Sequence, residues 1–183
     1  EPAAKGYKKL PTPIQSGIGN FIQNLKLPLV AVNQLLQGQG ENAAESTGRF
    51  LVNSTIGIFG LIDVADDLGL EQKEEDFGQT LATWGVGDGF YVVLPLFGPS
   101  NLRDTSGMLM TMMTDPVNAY ATNQGQAWAI PLRTAANAID QRSKIIDEVN
   151  ALRDNSIDYY AAVRSSYYQN RKAAIMNTDD DSL

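Results

Sequence analysis

Apolar residues recur at intervals of three and four along much of the chain, which is the spacing of one face of an α-helix. The first such stretch follows Thr12-Pro13, a pair typical of a helix start. A second short helix is predicted to begin at Pro28 and to end at Gly38, because proline interrupts a helix and glycine ends one. A third helix is predicted over residues 42–55.

The same spacing returns after each capping residue in the rest of the chain. Asp63 is predicted to cap a single helical turn, and a helix is predicted over residues 71–85 with its end at Gly85. The helix that begins at Pro131 is expected to run as far as the polar stretch RDNS at 153–156. Further helix starts are predicted at Ser100, Asp115-Pro116 and Ser156.

The pattern changes in the stretch WGVGDGFYVVLPLFGPSNLRD, residues 84–104. Phe90 to Leu94 form a β-prone run that Pro95 stops, so one short hairpin or extended loop is predicted. The chain shows no internal repeat and no long linker. The sequence therefore predicts a mainly α protein with one domain over residues 1–183, in which residues 1–9 and 177–183 form flexible ends.

Gly85, Gly87 and Gly89 occupy alternate positions and allow more than one interpretation. A phosphate-binding loop needs a strand before it and a helix N-terminus after it. Here a predicted helix precedes the glycines and an extended apolar segment follows, which disfavours nucleotide binding. A turn that requires positive φ remains open, as does a functional loop whose glycines let it flex or let a ligand approach.

The composition excludes several kinds of chemistry. The net charge of −7 disfavours nucleic acid as a partner. The chain has no cysteine and no histidine, which excludes thiolate nucleophiles, Ser-His triads and ordinary zinc sites, and no metal or cofactor is expected. The acidic run Glu74, Glu75 and Asp76 leaves carboxylate acid/base chemistry open, although adjacent acids at a helix start more often interact with the helix dipole.

The sequence has only short apolar runs, and this bears on both a membrane-spanning segment and a signal peptide. The longest apolar run, Ile56 to Ile62, is interrupted by Gly57 and Gly60, so no membrane-spanning helix is expected. The first residues contain no basic region followed by an apolar run, so no signal peptide is expected.

Two further patterns are candidates for a lipid or anion site. The stretch MLMTMM contains Met108, Met110, Met112 and Met113. These flexible side chains either fill a core or line a path for lipid. In SSYYQNRK, Tyr167 and Arg171 are four residues apart and share a helix face with Arg164. That face either binds phosphate or carboxylate groups, or is a solvated face above buried tyrosine rings.

Longer motifs resemble one known family. The segments RFLVNSTIGIFGLIDVADDLGL and EDFGQTLATWGVGDGFYVVLPLFGPSNLRDTSG are similar to the VacJ/MlaA family of Gram-negative outer-membrane lipoproteins. The upstream segment GIGNFIQNLKLPLVAVNQLLQG and the downstream segment VRSSYYQNR also fit the family pattern. The resemblance covers about residues 7 to 171, but the lipid-modified cysteine and the leading helix of the family are missing from this sequence.

The resemblance implies a ring-like domain of short amphipathic helices in the inner leaflet of the outer membrane, on its periplasmic face and beside a trimeric porin. It implies an amphipathic channel through which misplaced phospholipids leave the outer leaflet. A periplasmic lipid-carrier protein then collects them, and no covalent chemistry is catalysed. Short amphipathic helices that lie in the plane of a bilayer are compatible with this arrangement.

The resemblance also assigns roles to the glycine-rich stretch. Gly85, Gly87 and Gly89 would form a flexible hinge. The apolar loop beside the channel would consist of Phe90, Tyr91, Val92 and Val93. The alternative function is a periplasmic structural or interaction module that binds a porin without a lipid path of its own.

Overall fold

Helices form most of the computed structural model, which describes residues 2–95 and 97–177. Residue 1 and residues 178–183, both within the predicted flexible ends, lie outside the described residues. The elements in chain order are α1 (Pro2–Tyr7), α2 (Thr12–Leu36), α3 (Gly40–Thr55), α4 (Val64–Asp67), α5 (Phe77–Thr83), β1 (Tyr91–Leu94), β2 (Gly98–Asn101), α6 (Leu102–Thr114), α7 (Pro116–Asn123), α8 (Ala129–Lys144), α9 (Ile146–Asn155) and α10 (Tyr159–Met176). The predicted mainly α fold with one small hairpin is confirmed.

The helix α2 is continuous, so the prediction of two helices separated at Pro28 was wrong. Pro28 lies inside this 25-residue helix. Proline removes one backbone hydrogen bond, but Leu27 before it and Val30 after it are both buried. The helix packs along α3, and this packing outweighs the local cost of the proline.

Several predicted caps are confirmed. The Asp63 carboxylate accepts from the backbone N–H of Asp66 at the start of α4. The carboxylate of Asp115 accepts from two backbone N–H groups at the start of α7. Gly85 follows α5 with φ of +88°, as a glycine after a helix end should.

Other helix starts differ from the prediction. Asn101, not Ser100, caps α6 through a 2.7 Å bond from the Asp104 N–H. The cap of α10 is Asp158, not Ser156. In both cases two residues with capping side chains lie close together, and local sequence does not distinguish them.

Two predicted helices also have different bounds. The helix predicted over residues 71–85 begins only at Phe77, because Asp76 and Gln79 form a reciprocal capping box. The long helix predicted from Pro131 begins at Ala129, and Ile145 separates α8 from α9.

The two strands form an antiparallel hairpin in which Tyr91 pairs with Asn101 and Leu94 with Gly98. The open end of the hairpin is joined to the start of α6, because the Leu102 N–H donates to the Phe90 carbonyl at 3.0 Å. Gly89 has φ of +69°, and an added Cβ there would lie 2.9 Å from Leu102 Cβ. Glycine is therefore required at this point for both conformation and space.

The chain start is packed rather than free. The sequence predicts a flexible end over residues 1–9, whereas residues 2–7 form α1 against α8. Ala4 is buried, and the Tyr7 hydroxyl donates to Asp140 at 3.0 Å. Burial and the Asp140 carboxylate raise the pKa of Tyr7 to about 12.

Several polar side chains are buried, whereas many large apolar side chains are exposed. Fully buried positions include Asn33, Gln34 and Arg49, whereas Ile58, Phe59 and many other large apolar side chains are exposed. Five of the exposed apolar side chains lie close together in sequence, within residues 56–62. Among residues 2–95 and 97–177, no helix has the length and apolar character needed to cross a bilayer.

Candidate functional site

A cavity of about 480 Å³ lies between α2, the segment before α5, α6 and α8. Its volume is within the usual range of small-molecule sites. Part of its wall is apolar and includes Leu29, Phe97, Met108 and Met112. The rest of the wall is polar and charged, and includes Lys26, Glu74, Glu75, Asp76, Asp115, Arg133 and Arg171. The cavity is therefore amphipathic.

Two of the cavity arginines are paired with carboxylates. Arg133 donates to Asp115 at 2.6 Å, and the same carboxylate caps α7. Arg171 donates twice to Asp76 at 2.7 Å and once to Asp104 at 3.0 Å. Burial alone would lower the pKa of Arg171, but the hydrogen bonds and charges of Asp76 and Asp104 raise it.

Lys26 differs from these arginines. Within the described residues its ammonium group forms no hydrogen bond and no ion pair, although it lines the cavity. Burial lowers the pKa of Lys26; Glu74 opposes this shift, and the positive charges of Lys144 and Arg133 add to it. A cation held in this way has unused capacity to bind an anion.

The neighbouring glutamates have different surroundings. Glu74 is exposed and accepts a 2.5 Å hydrogen bond from the Gln23 side chain. Glu75 is buried and accepts a 2.8 Å hydrogen bond from Gln37. Burial raises the pKa of Glu75, although its hydrogen bonds act in the opposite direction.

Arg164, Tyr167 and Arg171, for which anion binding was one of two interpretations, do not point into one common site. Arg171 lines the cavity, but its guanidinium is bound by Asp76 and Asp104. The Tyr167 hydroxyl donates to Asp104 as well, and burial together with this carboxylate raises the pKa of Tyr167. Arg164 is exposed and lies outside the cavity, over the rings of Tyr91 and Tyr168.

The predicted loop beside the channel is the hairpin, and its side chains point in different directions. Tyr91 packs against Tyr160 and Tyr167, with ring centroids 5.7 and 5.9 Å away. Phe90 is 81% exposed and Val93 is also exposed, while Val92 is half-buried. None of the four lines the cavity. The hairpin reaches the cavity through Phe97 in its turn, which the sequence did not indicate.

The methionines divide between two environments. Met108 and Met112 are four residues apart on α6 and both line the cavity. Met110 and Met113 do not line it, and Met113 is 81% exposed. The four methionines therefore do not form one surface, since two of them line the cavity and two do not.

An exposed apolar turn connects α3 to α4. We define it as residues 56–62, in which Ile58 and Phe59 both have positive φ and Phe59 is 76% exposed. An added Cβ at Gly57 would lie 2.2 Å from the Ile62 carbonyl oxygen, and one at Gly60 would lie 2.5 Å from Asn24 Cβ. The glycines close the turn, and the large apolar side chains between them are held in solvent.

Residues of the family-like motifs hold this turn and the hairpin in place. Asn53 donates to Asp63 at 2.8 Å and accepts from the Ala65 N–H at 2.9 Å. Arg103 donates to Asp88 at 2.5 Å and to Asp104 at 3.0 Å. These contacts give Asn53, Arg103 and Asp104 structural roles, and they add a partner to Asp63, the predicted cap of α4.

Lys26 and Arg133 are cavity residues that the sequence reasoning missed. The available signal for Lys26 was its position as the only cation of α2, inside the apolar stretch NLKLPLV. Arg133 gave no local signal, because its partner Asp115 lies on the cap of a different helix.

Comparisons with known proteins show which family and which solved structure this chain is similar to. The family profile described as MlaA lipoprotein matches residues 1–174. The chain is similar to an uncharacterized protein of Rickettsia bellii (strain RML369-C), with 35% identity over 175 residues that cover 95% of this chain and 68% of that protein. It is also similar to the Intermembrane phospholipid transport system lipoprotein MlaA of Haemophilus influenzae (strain ATCC 51907 / DSM 11121 / KW20 / Rd), with 34% identity over 93% of this chain and 68% of that protein. A solved structure reported as "Structural basis for maintenance of bacterial outer membrane lipid asymmetry" superposes with a TM-score of 0.82 and 34% identity, covering 95% of this chain and 86% of that one.

Proposed function

The chain belongs to the MlaA lipoprotein family, and on this premise we propose that it transports phospholipids without covalent chemistry. Misplaced phospholipid leaves the outer leaflet of the outer membrane, passes through the cavity and is handed to a periplasmic carrier. The protein itself sits on the periplasmic side, in the inner leaflet. The trimeric porin and the carrier enter this proposal from the family resemblance.

The observation that carries the proposal is the amphipathic cavity. A phospholipid has a charged head group and apolar acyl chains, and its path needs both kinds of surface. Lys26 and Glu74 supply charge, whereas Met108, Met112 and Phe97 supply apolar contacts that adapt to varied chain shapes. A cavity with one kind of surface would bind one end of the lipid only.

The exposed apolar surface supports a membrane location. The apolar turn presents Phe59 and Ile58 to the surroundings, and Phe90 is presented by the hairpin. Burying each such side chain in acyl chains is favourable by about 1.5–3 kcal/mol. Entry into one leaflet requires no spanning helix.

Adjacent methionines on α6 provide the test. The chain is purified in detergent with Met112→Asp and Met113→Asp variants, and the phospholipid retained per protein is quantified by mass spectrometry. Met112→Asp places a charge in the cavity and should lower retained lipid at least about tenfold. Met113→Asp makes the same change outside the cavity and should retain the wild-type amount.

Equal retention by both variants would contradict the lipid path. No lipid above that of a soluble control protein, combined with stability in the absence of detergent, would favour the alternative interaction module.

The hinge role of Gly85, Gly87 and Gly89 with Phe90, Tyr91, Val92 and Val93 is part of the same proposal. It concerns movement rather than binding, because these side chains lie outside the cavity. Phe90→Asp should therefore slow phospholipid transfer to acceptor vesicles while leaving the amount bound at equilibrium unchanged. An unchanged transfer rate would remove the hairpin from the transport path.

A further inference from the structure

Most charged groups that line the cavity neutralise each other. Arg133 is bound to Asp115, and Arg171 to Asp76 and Asp104. Lys73 also lines the cavity and lies 3.6 Å from Glu71, which is not part of the cavity wall. Lys144, which adds to the positive field at Lys26, is itself paired with Asp140 at 2.9 Å.

Two accessible charges of opposite sign remain after this pairing. Lys26 has no hydrogen bond or ion pair in the part of the chain that the structure describes. Glu74 accepts a hydrogen bond from the neutral Gln23 side chain and makes no ion pair with any described residue. Glu75 is also unpaired by a cation, but it is buried and turned toward Gln37.

The Lys26 ammonium and the Glu74 carboxylate lie close together but do not form an ion pair. Gln23 and Lys26 are three residues apart on α2 and therefore share a helix face. Because Gln23 holds the Glu74 carboxylate at 2.5 Å, that carboxylate is one helical turn from Lys26. Both groups line the cavity that Met108 and Met112 complete.

We propose that Lys26 and Glu74 form a subsite for a zwitterionic phospholipid head group. The Lys26 ammonium binds the phosphate, and the Glu74 carboxylate binds the head-group amine. This inference rests on the proposed function, and it adds a preference among head groups. A purely anionic head group satisfies Lys26 but leaves Glu74 without a cation, whereas a zwitterion satisfies both.

A competition experiment tests the subsite. The detergent-purified chain is incubated with equal amounts of phosphatidylethanolamine, phosphatidylglycerol and diacylglycerol that carry the same acyl chains. The lipids retained after gel filtration are quantified by mass spectrometry. Wild type should retain phosphatidylethanolamine best, phosphatidylglycerol less and diacylglycerol least.

Four variants separate the two charges from general effects. Lys26→Met should lower the retained amount of both phospholipids at least about tenfold relative to that of diacylglycerol, because a hydrogen bond to a charged group is lost. Glu74→Gln should lower phosphatidylethanolamine about threefold relative to phosphatidylglycerol, as for an exposed ion pair. Lys26→Arg should restore phospholipid retention. Lys73→Met removes a paired lysine on the same wall and should keep the wild-type ratios.

The outcomes separate the subsite from the lipid path. Equal retention of all three lipids by wild type would overturn the subsite while the path stands. A Lys26→Met variant with wild-type ratios would overturn it as well. Retention of none of the three lipids by wild type would overturn the path and the subsite together.

Discussion

Arg171 on the last helix binds the Asp76 carboxylate through two hydrogen bonds of 2.7 Å, across 95 positions of sequence. Asp76 caps α5, and Arg171 also reaches Asp104 in the first turn of α6. One guanidinium therefore joins three helices. A Cβ added at Gly78 would lie 2.5 Å from this guanidinium, and one added at Gly107 would lie 2.4 Å from the Gly78 nitrogen. The two glycines let α5 and α6 approach closely beneath it.

This relationship predicts that Arg171 contributes more to stability than a nearby arginine. Arg171→Leu leaves Asp76 and Asp104 without their cation and should lower the free energy of unfolding by about 3 kcal/mol. Arg164→Leu removes an exposed cation–π contact, and its cost should stay below about 1 kcal/mol. Urea unfolding of both variants in the same detergent measures the difference. Equal losses of unfolding free energy in the two variants would show that the positive charge of α10 stabilises the protein, and not the pairing of Arg171 with Asp76 and Asp104.

The stability of the fold should depend on pH through Glu75, and the sign of this dependence follows from its raised pKa. Because burial raises the pKa of Glu75 in the folded state, its favourable contribution is fully present below the unfolded pKa and is lost as pH rises through the folded value. Glu75→Gln keeps the Gln37 contact without the charge. Its melting temperature should exceed that of wild type at pH 8, with a smaller difference at pH 4.

The control for Glu75→Gln is Glu71→Gln, which removes the same charge from an exposed side chain. A Glu71→Gln variant with the same pH-dependent gain would assign the effect to net charge rather than to burial.

The apolar turn predicts a specific contribution to membrane binding. Phe59→Asp should weaken binding to vesicles of phosphatidylethanolamine and phosphatidylglycerol at least about tenfold, because an apolar ring that enters the acyl region is replaced by a charge. Ile157→Asp alters another fully exposed apolar residue, beside Asp158 at the start of α10, and should leave binding unchanged. Vesicle flotation measures both. Equal weakening would indicate a general effect of charge.

Local sequence was sufficient for elements whose signals lie within a few residues. Helical periodicity predicted most helices, and Asp63 and Asp115 were correct caps because their carboxylates bind N–H groups two or three residues away. The hairpin followed from a β-prone run next to glycine and proline. The continuity of α2 through Pro28 was not predictable in this way, because packing along α3 decides it.

The candidate site depended on contacts that no short stretch contains. The anion-binding alternative that the sequence left open for Arg171 took no account of Asp76 and Asp104, which are 95 and 67 positions away in sequence. Lys26 was overlooked for the opposite reason, since its significance is that no described residue forms a hydrogen bond or an ion pair with it. Pairing across the fold therefore decides which charges are available to a ligand.

The contact between Tyr7 and Asp140 joins residues 133 positions apart and has a consequence for the order of folding. During synthesis α1 emerges before α8, and the surface of α8 that covers it is translated much later. Until then Ala4 and its neighbours lack the surface of α8 that α1 packs against. Long-range contacts of this kind form slowly, because the intervening chain must first be ordered. Docking of α1 is thus a late event, and a chain interrupted before residue 129 leaves α1 exposed to proteases and chaperones.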